Sequence, residues 1–221
     1  VQGVISDFTN PNKINYELVL KAKNFETGKW VRRDSSFGKL NGVIRVKGNG
    51  TNYKTLQLNS TMRIDEFNYN QIPYNNANIQ LIANKGLYNY STDIKSDLLK
   101  AAVKGNARLN SLYPSINAKF DIQQANLLAM GFLKDSMNLR AKGLIDLKNL
   151  DPNELNFLVK LDSVQMTAGT KIIAVDSLNL TGLIDSAQNT VLVFRSAFMD
   201  ANMQGKFKYN EIGKIFETQM N

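Results

Sequence analysis

Apolar and polar residues alternate along most of this chain, and the alternation is cleanest over residues 99–109. There Leu99, Ala101, Val103, Gly105, Ala107 and Leu109 share one parity, while Lys100, Lys104 and Arg108 stand on the other. Residues 199–209 repeat the pattern, with Met199, Ala201, Met203, Gly205, Phe207 and Tyr209 alternating with Asp200, Asn202, Gln204, Lys206 and Lys208. A period of two places successive side chains on opposite sides of a strand, so both stretches predict β-strands with one apolar face. The glycines sit at matching places, 100 residues apart (205 − 105). That spacing predicts a repeated unit.

The rest of the chain has the same texture. Residues 1–38 contain an alternating strand (Ile14, Tyr16, Leu18, Leu20, Ala22) and read as the closing strands of a preceding unit or an edge elaboration. A first β unit occupies 39–111. Its inward parity is Leu40, Ile44 and Val46, then Leu56, Leu58, Met62 and Ile64, then Ile79 and Leu81, and finally Leu99, Val103 and Leu109. A connector over 112–137 carries one strand through Ile116, Ala118, Phe120 and Ile122. It also contains the only predicted helical turn, 123–130, where Ala125, Leu128 and Ala129 have i, i+3, i+4 spacing. The second unit, 138–213, has Leu139, Ile145 and Leu147, then Leu155, Phe157, Val159 and Leu161, then Leu178 and Leu180, and then Met203 and Phe207. A tail follows over 214–221. The units correspond at Gly42 and Gly143, Leu56 and Leu155, Asp65 and Asp162, Leu81 and Leu180, and Gly105 and Gly205, with spacings of 101, 99, 97, 99 and 100. The predicted fold class is all-β: repeated, mainly antiparallel strands, with one short helical connector.

Composition narrows the chemistry. The 221 residues include no cysteine and no histidine, which removes thiolate and imidazole as nucleophiles, general bases or metal ligands. No EF-hand, no G-x-S-x-G nucleophile elbow and no complete phosphate-binding glycine loop occurs, Gly48-Asn49-Gly50 being a turn signal. Asp65 and Glu66, adjacent on a strand, face opposite sides unless a bulge intervenes. Neither catalysis nor a cofactor is expected, and no metal site. The 28 asparagines concentrate in turns and on polar faces.

A formal net charge of +8 favours anionic partners, yet the basic residues are dispersed and form no run. Nucleic acid would need aromatics on an exposed basic face, and Tyr88 and Tyr90 are the best pair for it. The other aromatics share the apolar parity, so nucleic acid is not the expected partner. No stretch approaches the ~18 apolar residues of a membrane helix. Val1 opens in a strand-like context without a start methionine, so the chain is expected to be a segment whose targeting signal lies elsewhere. The long apolar parity suits either a closed sandwich core, as in a structural or adhesive surface module, or an open groove that shelters acyl chains.

Several segments are similar to the long periplasmic repeats of the AsmA/TamB-like family, especially its Bacteroidetes members. They are Phe120-Asp121-Ile122 through Ala125-Asn126-Leu127, Gly131-Phe132-Leu133-Lys134-Asp135-Ser136, 138–150 with Asp151-Pro152, Leu161-Asp162-Ser163-Val164, Val175-Asp176-Ser177-Leu178 and 201–207. The resemblance is clearest over 100–213. It implies a twisted, taco-like open β-groove in the periplasm of a Gram-negative bacterium, with an inner-membrane anchor outside this segment. It also implies a role in envelope biogenesis: phospholipid passing between the membranes, or unfolded outer-membrane proteins assembling with an Omp85-type partner. On that reading the inward residues named above line the groove.

Overall fold

The structure, a computed structural model, describes residues 1–7, 9–11, 13–31, 36–70, 72–151 and 156–206. The predicted positions Leu155 and Phe207, and the tail, lie outside them. The described chain is one open antiparallel sheet. Its strands are β1 (Gln2–Ser6), β2 (Asn15–Glu26), β3 (Phe37–Asn49), β4 (Gln57–Tyr69), β5 (Ile72–Pro73), β6 (Ala77–Asn84), β7 (Leu87–Lys95), β8 (Leu99–Arg108), β9 (Ser115–Asn126), β10 (Asn138–Asn149), β11 (Asn156–Ala168), β12 (Lys171–Val175), β13 (Leu178–Ile184), β14 (Thr190–Ser196) and β15 (Asp200–Gly205). Each strand pairs with the next in sequence, from β1 at one edge to β15 at the other, except that the short β5 and β12 hang on the ends of β4 and β11. No second sheet lies against it among the described residues, so the closed sandwich is overturned.

The helical turn predicted at 123–130 is a strand for its first four residues. Residues 124 and 125 of β9 are held by β8, and 125 and 126 by β10, and two flanking ladders outweigh a weak apolar period. Only a turn remains beyond, closed by Met130 N–H donating to the Asn126 carbonyl and Ala129 N–H to Asn126 Oδ1. The one helix of the described residues, α1 (Thr27–Val31), lies instead between β2 and β3.

Strand pairing makes the internal repeat concrete. β3 and β10 are followed by long strands, β4 and β11, whose far halves pair with the short β5 and β12. In β4 the register skips Asp65 opposite Gly42, and in β11 it skips Asp162 opposite Gly143. Both aspartates are therefore bulge residues, and each forms an ion pair two positions back, Asp65 with Arg63 at 3.0 Å and Asp162 with Lys160 at 2.8 Å. The predicted match of Gly105 with Gly205 does not hold in the pairing: Leu81 faces Tyr90, which faces Gly105, whereas Leu180 faces Phe194, which faces Ala201, and Gly205 stands four residues further along β15. The correspondence also reaches one strand earlier. β2 and β9 are each 12 residues long, and both skip two positions against the next strand, from Ala22 to Phe25 and from Ile122 to Ala125.

The turn between β13 and β14 is organised by Asp185. Its carboxylate accepts bonds from the Asn189 and Ala187 backbone N–H groups (2.8 and 2.9 Å), from Asn189 Nδ2 (3.1 Å) and from Gln204 Nε2 (2.8 Å). The backbone and side-chain bonds of Asn189, then those of Gln204 and Ala187, hold its carboxyl below the ordinary carboxylate range. A lowered folded-state pKa gives stability that is complete above the unfolded-state value and lost as pH falls through the folded one. Denaturation of the wild type and Asp185→Ala should therefore differ most near about pH 7 and converge toward about pH 2.

Candidate functional site

Cross-strand partners share a face, so the pairing registers trace continuous rows across the sheet. One row runs Ile5, Tyr16, Gly48, Leu58, Ala83, Tyr88, Ala107, Ile116, Leu147, Phe157, Gly182, Leu192, Met203. The next runs Gly3, Leu18, Val46, Ser60, Leu81, Tyr90, Gly105, Ala118, Ile145, Val159, Leu180, Phe194, Ala201. A third carries Leu20, Ile44, Met62, Ile79, Thr92, Val103, Phe120, Gly143, Leu161 and Leu178. Ile64 falls in a fourth with Ala77, Ile94, Ala101, Ile122, Ala141 and Val164. Leu99, Ala125 and Leu139 align beyond it, as do Phe25, Leu40 and Phe67 on the far side of the early bulges.

Nearly all the residues expected inside a groove therefore stand on one face. The described exceptions are positional: Leu56 lies one residue ahead of β4, and Leu109 one residue beyond β8, each half-buried and anchored by a backbone bond to the neighbouring turn. At about 4.8 Å per strand, thirteen strands carry a row about 58 Å across the sheet.

Burial on this face is graded by size. Its buried hydrophobic members are the alanines Ala77, Ala83, Ala101, Ala125 and Ala141, and the one large hydrophobic side chain buried to the same degree among the described residues, Met130, lies in the turn after β9. Leu, Ile, Val and Phe side chains form a half-buried layer above an alanine floor, as expected where no second layer closes over them. Polar interruptions are few. Ser60, 3% exposed between Val46 and Leu81, has a hydroxyl without a partner, and Thr92 stands between Ile79 and Val103.

Tyr88 and Tyr90, the best candidates for an exposed aromatic pair, belong to the same face. Their hydroxyls donate to the carbonyls of Tyr53 (2.5 Å) and Asn117 (3.1 Å), and burial together with Tyr53 pushes the Tyr88 hydroxyl up. Fixed in this way among aliphatic neighbours, they form no stacking platform with the lysines, which point to the other side.

The opposite face is mostly polar and charged, although Leu158, Leu183, Val191 and Val193 stand on it over β11–β14. Lys100, Lys104 and Arg108 are exposed there, as expected. Furrows of about 550 and 520 Å³ open on this face, the second over Ala102 between Asp93 and Asp121. Lys95 Nζ lies 3.3 Å from Asp93, close enough to pair but without hydrogen-bond angles, and Lys142 Nζ lies 3.1 Å from Asp121. The bulge at Asp65 turns both Asp65 and Glu66 toward the polar face, contrary to the simple alternation. Asp65 is engaged by Arg63, and Glu66 accepts a bond from Asn41 Nδ2 at 2.7 Å. Among the described residues no group of three or more acidic, cysteine or histidine side chains is placed to hold a metal.

Fold and face together define an open, single-layer, two-faced β-repeat. Among the described residues no helix is long and apolar enough to cross a membrane. No family model, curated protein or solved structure matches the chain.

Proposed function

We propose that this chain is a periplasmic segment of an AsmA/TamB-like envelope protein, and that its apolar face guides phospholipid acyl chains between the inner and outer membranes. The single observation behind this reading is the apolar face itself, continuous across thirteen strands and, among the described residues, not covered by another layer. Each methylene sheltered there contributes roughly 0.8 kcal/mol, so an acyl tail is held without polar contacts while the headgroup stays in water. Because the rows run across the strands, a tail sliding along them passes from one equivalent site to the next. Unfolded outer-membrane proteins, with their own alternating apolar strands, are the other cargo such a face suits. An inner-membrane anchor and an Omp85-type partner would then act through regions outside the segment.

Photo-crosslinking tests the reading. With benzoylphenylalanine at Val103, cells of a Gram-negative host should yield a phospholipid adduct detectable by mass spectrometry, and with the probe at Lys104 they should not. Equal labelling from the two positions, or protein adducts alone at Val103, would count against lipid guidance.

A further inference from the structure

The short strands β5 and β12 hold matching places, each beside the far half of a long strand, but their outer edges differ. Tyr74 N–H donates to the Phe67 carbonyl, so the nitrogen of Pro73, one residue earlier, is turned away from β4. A proline there offers no donor to an incoming strand. β12 has no such guard. It enters from the two-residue turn Gly169-Thr170, with Gly169 at φ 58°, so Lys171 and Ile173 bond inward to β11 while the backbone groups of Ile172 and Ala174 point outward. Among the described residues β12 pairs with β11 alone, because β14 ends at Ser196, opposite Leu178, and turns there into β15. The open edge is thus internal, with β11 along it and the β14–β15 turn at its end. Its isoleucines are exposed on both faces: Ile173, 55% exposed, stands with Met166 on the apolar face, and Ile172, 61% exposed, stands with Thr167 on the polar one.

We propose that this edge is a homodimer interface, at which a second copy of the chain adds its own β12 antiparallel about a two-fold axis at Ile172. The edge fits itself. The space beside β12 closes where β14 begins, so it takes only a brief strand that ends in a turn, and β12 is five residues long and starts from one. Centred on Ile172, the pairing sets the second copy's Thr170 opposite Ala174, and its turn stops short of the Ser196 turn opposite Leu178. Centred on Ala174, the same turn would run into Ser196. Ile172, an apolar residue on the polar face, meets its own copy and exchanges both backbone bonds with it. Lys171 meets Ile173, so no like charges are opposed. The axis stands normal to the sheet, which keeps apolar face beside apolar face across the junction. The proposal is independent of what that face carries.

The chain has no cysteine, which makes the test direct. Directly opposed residues of an antiparallel hydrogen-bonded pair have Cα atoms about 5.5 Å apart, within disulfide reach. Under mild oxidation Ile172→Cys should form a disulfide-linked dimer at least about tenfold faster than Ile82→Cys, which places an exposed cysteine on the polar face away from this edge. Sedimentation of the wild type should show a dimer that dissociates on dilution. Ile172→Pro removes only an outward donor and should give a monomer with the wild-type unfolding midpoint. Ile172→Lys, which keeps the donor and opposes two ammonium groups across the axis, should weaken the dimer as well and serves if the proline variant does not fold. Equal crosslinking of the two cysteine variants, a wild type that sediments as a monomer, or a dimer untouched by both Ile172→Pro and Ile172→Lys would each overturn the proposal.

Discussion

Val103→Asp should lower the free energy of unfolding by about 3 kcal/mol, whereas Lys104→Asp, one residue further along β8, should change it by less than about 0.5 kcal/mol. Val103 sits near the centre of the sheet, half-buried between Thr92 and Phe120. Aspartate there removes a branched apolar side chain and sets a carboxylate beside an aromatic ring. No lysine or arginine side chain lies in the rows around it to offset the charge. Lys104 is exposed opposite Ser91 and Lys119, and an aspartate in its place exchanges a like-charge neighbour for an opposite one. Urea denaturation measures both. Val103→Thr, which keeps the shape and exchanges one methyl for a hydroxyl, should fall between them at about 1 kcal/mol, and it serves if the aspartate variant does not accumulate. Equal losses at 103 and 104 would mean that the two faces are not distinct.

The faces were legible because a period of two is independent of what covers them. Val103, Ile145 and Leu180 fall on one side in any antiparallel arrangement that keeps their parity. For the same reason the alternation did not distinguish one layer from two, since a sandwich core and an uncovered face share one pattern. Topology decides that, through the step-by-step pairing of each strand with its successor. The bulges were partly visible. Asp65 and Asp162 align with each other, and the apolar parity changes just after each, from Ile64 to Phe67 and from Leu161 to Val164, but that each is the residue skipped opposite a glycine depends on pairing that no single strand encodes. Asn24, at φ 51°, sits in the skip of β2, and asparagine is among the few non-glycine residues that adopt such a conformation readily. The five-residue α1 is too short to show a helical period.

Gly105→Ala should cost about 3 kcal/mol, at the upper end of overpacking effects, and Gly182→Ala about 1–2 kcal/mol. The difference lies in what each new methyl would strike. A Cβ at Gly105 would stand 1.9 Å from the Asn117 carbonyl oxygen and 2.7 Å from Tyr90 Oη. The carbonyl belongs to the backbone of β9, so relief requires β8 and β9 to separate, and Tyr90 would lose its 3.1 Å bond to that carbonyl. The atoms nearest a Cβ at Gly182 all belong to the Phe157 ring, the closest being Cε1 at 2.3 Å, and a side chain can turn away. The two sites therefore respond differently to a second substitution. Phe157→Leu opens the space above residue 182, so the double variant with Gly182→Ala should recover about 1 kcal/mol relative to additivity. Tyr90→Leu combined with Gly105→Ala should recover little, because the backbone clash persists. Denaturation of the two double-mutant cycles measures both couplings. A large recovery at Gly105 on removing Tyr90 would show that the ring, rather than the approach of β9, requires the glycine there.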